Sequence, residues 1–108
     1  MPNKEVPMLI RKRIVIKGTV QGMSYLKKTQ KVASIHGLKG WIRNLTDGNV
    51  EACFEGSESA VGAVISWCFV GSKQVRVEEV VVRHERYRGR SRDFHVRIGE
   101  PMRLDDAV

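Results

Sequence analysis

Polar and apolar residues alternate along residues 10–17, IRKRIVIK, placing Ile10, Ile14 and Ile16 on one face and Arg11, Arg13 and Val15 on the other. That two-residue period predicts a strand. The period then changes. Over 24–36, SYLKKTQKVASIH, the residues Tyr25, Val32 and Ala33 fall on one helical side with Thr29 between them and lysines opposite. Gly37 suits the left-handed residue that stops a helix. Residues 38–45 and 49–56 read as a hairpin joined through Thr46-Asp47-Gly48. In its second arm Val50, Ala52 and Phe54 alternate with Glu51, Cys53 and Glu55, which predicts one buried and one wetter face. Ser57 suits an N-cap, and Val61, Val64, Ile65 and Cys68 make the stripe of a second helix that ends near Gly71-Ser72. Residues 74–85 are Val-rich and strand-like, with a slip at Glu78-Glu79 that predicts a bulge. After a basic turn over 87–92, residues 93–98 read as a last strand with Phe94, Val96 and Ile98 on one face.

This order gives an α+β fold of the ferredoxin-like βαββαβ kind, an antiparallel sheet with two helices on one face. The 108 residues make one domain, with a core over about 10–98 and tails over 1–9 and 99–108. No apolar run approaches the roughly 18 to 20 residues of a membrane span. The N-terminal MPNKEVPMLIRKR lacks the apolar stretch of a signal peptide, so the expected location is the cytoplasm. Cys53 and Cys68 have neither CxxC spacing nor a His cluster beside them, which argues for reduced, buried thiols and against a metal site.

The net charge is +7 and unevenly spread. Residues 1–31 carry eight Lys or Arg against Glu5, and residues 83–97 carry six Arg against Glu85 and Asp93. Such an excess is either a solvated surface or a preference for anionic partners. RNA-recognition domains of this architecture need base-stacking aromatics on the central strands, and VEACFEG offers a single Phe among glutamates. That argues against specific nucleic-acid binding.

A strand leading through Gly18 and Gly22 into a helix start is either a tight turn or an anion cradle, in which free N–H groups from about Gln21 to Tyr25 converge on one oxyanion. The stretch Gly18–Leu26, GTVQGMSYL, resembles the signature of the acylphosphatases, G-x-V-Q-G-V-x-F-R. Gly18, Val20, Gln21 and Gly22 match it, Met23 stands for Val and Tyr25 for Phe. Residues 37–51, GLKGWIRNLTDGNVE, resemble the family's second signature at Gly37, Leu38, Gly40, Trp41, Asn44, Asp47, Gly48, Val50 and Glu51. The resemblance implies a monomer that hydrolyses the carboxyl-phosphate bond of small acyl phosphates, with no metal or organic cofactor. It implies a phosphate-binding loop of Gln21, Gly22, Met23, Ser24 and Tyr25, and a water-orienting Asn44.

The family's catalytic Arg position is occupied by Leu26. Leucine has neither charge nor donor, so weak or absent turnover is expected. The alternative is a module that binds phosphate, sulfate or a protein partner without turnover. Lys27, Lys28 and Arg43 are the candidate substitutes, although a regular strand points Arg43 to the face opposite Asn44. Leu26 is also readable as a plain core residue, Ser24 as an N-cap rather than a nucleophile, and Asn44 as a turn cap with Asp47. His36 reads as a structural residue at a helix C-terminus, His84 and His95 have no carboxylate or Cys partner in a recognisable motif, and Trp41 and Trp67 read as packing residues.

Overall fold

The computed structural model describes residues 8–71, 73 and 75–98. Its elements run β1 (Leu9–Thr19), α1 (Met23–Ile35), β2 (Lys39–Asn44), β3 (Val50–Ser57), α2 (Glu58–Val70), β4 (Arg76–Glu85) and β5 (Phe94–Arg97). The sheet order is β4-β1-β3-β2-β5. β1 pairs antiparallel with β3 and β4, and β2 antiparallel with β3. The fifth strand departs from the all-antiparallel expectation, because β5 joins the far edge parallel to β2. After β4 the chain has to cross the sheet to reach that edge, and so it arrives running in the direction of β2. The register of β1 and β4 shifts between Lys17 and Gly18, which leaves Glu78 as the extra residue of the expected bulge. Gly18 is required there: a Cβ would sit 2.1 Å from the Arg76 carbonyl oxygen.

Both helices cover one face. Ile14, Ile16, Ile42, Val50, Ala52, Phe54 and Phe94 meet Tyr25, Leu26, Ala33, Val61, Val64, Ile65 and Cys68 in a single core. Ser57 caps α2 as its sequence position predicts, accepting a hydrogen bond from the Ala60 amide at 3.2 Å. Cys53 and Cys68 are free and buried, and burial pushes both thiols up to about 12, so they are inert packing groups at neutral pH. No helix among the described residues is long and apolar enough to cross a membrane.

The opposite face was expected to be the wetter one, yet Arg11, Arg13, Glu51 and Glu55 are all buried there. Charge pairing makes that burial possible. The groups alternate in a continuous chain. Glu55 meets Arg11 at 3.4 Å, and Glu85 bridges Arg11 at 2.8 Å and Arg13 at 2.9 Å. Arg13 continues to Glu51 at 3.5 Å, and Glu51 to Arg43 at 2.8 Å. The indole of Trp41 lies against three guanidiniums, those of Arg13, Arg43 and Arg97, at 5.3, 5.2 and 4.5 Å.

Burial alone would raise the Glu85 carboxyl, but the hydrogen bond from Arg11 and the charge of Arg13 outweigh it and hold the group below its ordinary 4.5. A folded-state value below the unfolded one favours the native state whenever the group is ionised. The contribution is complete above about pH 4.5 and is lost as pH falls through the lowered value. Glu85→Gln is expected to give a shallower fall of Tm than the parent between about pH 6 and 3. Parallel Tm curves would show that Glu85 carries no such linkage.

Candidate anion-binding site

The loop between β1 and α1 is seated by Val20, which is fully buried. Gly22 then turns the chain with φ 133 and ψ 150 and occupies the N-cap of α1. A Cβ at Gly22 would meet nothing within 4 Å, so this residue is a glycine for its dihedral angle and it opens onto unfilled space. The helix starts one residue before Ser24, and no side chain caps it. Ser24 is therefore not the N-cap its sequence position suggested. The first intrahelical bond runs from the Leu26 amide to the Gly22 carbonyl at 3.4 Å. The amides of Gly22, Met23, Ser24 and Tyr25 consequently have no acceptor within the helix. No acidic residue stands in that first turn. The helix dipole adds about half a positive charge at the same point.

Gln21 fixes this loop against the β2–β3 turn. Its side-chain amide donates to the carbonyls of Leu45 and Asn49. The turn is itself closed by the Leu45 amide on the Asn49 carbonyl at 2.8 Å and by Asp47, which accepts from the Asn49 backbone amide at 3.0 Å. Asp47 thus caps Asn49 and not Asn44. Asn44 is exposed, ends β2 and pairs with Val50. Two residues on from Ile42, it falls on the helix side of the sheet. Gln21 brings the cradle against Leu45, the next residue along.

Leu26 is 1% exposed and packed into the core beside Tyr25 and Thr29. Tyr25 stacks on Trp67 at 6.0 Å and donates its hydroxyl to the Cys68 carbonyl at 3.4 Å. Lys27 and Lys28 are exposed, on the outward side of α1. Arg43 points away as the strand period predicts, engaged by Glu51 at 2.8 Å and stacked on Trp41. Among the described residues, no guanidinium is aimed into the cradle from the position that Leu26 holds. No group of three His, Cys, Asp or Glu side chains among them is placed to hold a metal ion. The tether made by Gln21 was not visible in the sequence, because its acceptors are backbone carbonyls.

The acylphosphatase family profile matches residues 12–96. The chain is 44% identical over 90 residues to an acylphosphatase of Geobacter sulfurreducens, covering 83% of this chain and 99% of that one. It is 45% identical over 87 residues to one of Haloquadratum walsbyi, covering 81% and 92%. The crystal structure of acylphosphatase from Bacillus subtilis superposes with a TM-score of 0.77 at 31% identity, over 82% of this chain and 98% of that one.

Proposed function

The chain belongs to the acylphosphatase family, and from that premise we propose that its β1–α1 cradle binds the phosphoryl group of a small acyl phosphate with slow turnover at most. In this reading the phosphoryl oxygens accept from the amides of Gly22 through Tyr25, and Asn44 holds a water for in-line attack on phosphorus. The carboxylate leaves with the bonding pair, and inorganic phosphate is released. Binding and attack use the chain's own groups, with no metal or organic cofactor, in a cytoplasmic monomer. Phosphoryl transfer depends on positioning and on stabilising spread negative charge. The amides and the helix dipole supply part of that stabilisation, and Leu26 supplies none.

The observation that carries this reading is an open, uncapped helix start standing over a leucine in the core. The same observation favours a second reading, a phosphate-binding module without turnover. Inorganic phosphate is expected to shift the amides of residues 22–25 saturably, and benzoyl phosphate hydrolysis to stay within about tenfold of background. Rapid turnover by the parent would overturn the part assigned to Leu26. Loss of it on Lys27→Ala or Lys28→Ala would name the cation used instead. Absence of saturable phosphate shifts would remove the cradle from both readings.

A further inference from the structure

Residues 86–93 carry the chain from β4 across the open face of the sheet to β5. Beneath this strap the face leaves a small open depression of about 30 Å³. Arg11, Arg88, Arg90 and Arg97 line it, together with Trp41 and Glu55. Arg11 and Arg97 are 5% and 8% exposed, so they are held in place and largely stripped of water. The guanidinium of Arg97 stacks on Trp41 at 4.5 Å. Stacking on the indole fixes the plane of that guanidinium. Arg90, by contrast, is exposed and forms no ion pair among the described residues.

The one carboxylate of this lining does little to repel an anion. Glu55 accepts from the Arg88 amide at 2.6 Å, from the Gly89 amide at 3.2 Å and from Arg11 at 3.4 Å. Its charge is directed at protein donors. A positively charged concavity with low-dielectric walls attracts oxyanions more strongly than an exposed lysine surface does. Guanidinium forks fit phosphate oxygens two at a time.

We propose that this depression is a second oxyanion site on the face opposite the helices, taking a small phosphate-bearing anion, with Arg90 closing on it from the strap. It is separate from the β1–α1 cradle and does not depend on turnover there.

The test is a pyrophosphate titration of the full chain at constant ionic strength, followed by amide and indole resonances. The strap amides of Gly89, Arg90 and Ser91 and the indole N–H of Trp41 are expected to move on one saturable curve, distinct from that of residues 22–25. Arg90→Ala should raise the Kd for the strap curve by about tenfold or more. It should leave the cradle curve and the Tm unchanged, and Arg90→Lys should recover part of the affinity. Linear, unsaturable drift at the strap would overturn the proposal, as would a Kd unmoved by Arg90→Ala. A single-stranded oligonucleotide that saturates the strap below the pyrophosphate concentration needed, moving Arg83 and Arg86 as well, would replace it with a polynucleotide-binding face.

Discussion

Leu26→Arg is expected to hydrolyse benzoyl phosphate about 10³ to 10⁵ times faster than the parent, the range that a phosphoryl-transfer arginine supplies elsewhere. The geometry favours this outcome. Leu26 lies in the first turn of α1, where its amide makes the first intrahelical bond. Side chains on a helix tilt toward its N-terminus, so a long side chain at this position leans back to the cradle amides. The aliphatic stem of Arg retains some of the packing that the leucine makes, while its fork reaches water and phosphate. Part of the leucine's burial is still lost, so a stability cost of about 1 to 3 kcal/mol is expected alongside the gain in rate. Adding Asn44→Ala to Leu26→Arg should remove about 10² of the gain if that side chain holds the attacking water. Two failures are distinguishable. A folded Leu26→Arg that binds phosphate and stays inactive establishes the binding-module reading. A folded Leu26→Arg that neither binds nor turns over rules out the cradle itself.

The strands and helices were legible because each follows one period. Alternation in IRKRIVIK put Ile14 and Ile16 on the core side and Arg11 and Arg13 on the other, where they stand. The slip at Glu78-Glu79 located the bulge because an extra residue must break the alternation. The two signature stretches singled out the loop that opens α1, the leucine buried behind it and Asn44 at the end of β2. What stayed hidden depends on register between distant segments. Glu51 and Glu55 looked solvent-facing by type, and nothing near them in sequence shows that Arg11 lies opposite Glu55 or that Glu85 lies opposite Arg11. The strap read as a turn, since a local pattern gives the chain's direction but not the surface it crosses. The N-cap of α1 was misplaced by two residues, at Ser24 and not Gly22, because a serine is the commoner cap, whereas a glycine at φ 133 makes the turn here.

Glu55→Gln is expected to be the most destabilising conservative change on the open face. Glu55 is 1% exposed, and its carboxylate serves the Arg88 and Gly89 amides and the guanidinium of Arg11. A glutamine keeps the volume but gives up the charge, and its NH₂ turns a donor toward donors. Removing one partner of a buried ion pair costs about 3 to 5 kcal/mol, because the remaining charge stays desolvated. Arg11 keeps Glu85 at 2.8 Å, which places the expected loss at the lower end. A loss of about 3 kcal/mol lowers Tm by about 12 to 24 °C in a domain of this size. Glu79→Gln is the matched control. Its pair with Lys17 spans 3.9 Å, with side chains 62% and 46% exposed, and an exposed pair contributes about 1 kcal/mol or less. Amide exchange at Arg88 and Gly89 should quicken in Glu55→Gln and not in Glu79→Gln, because the carboxylate ties that part of the strap to the sheet. If the two variants melt together, the buried chain of charges on this face contributes no more than its exposed counterpart, and the strap is held by something other than Glu55.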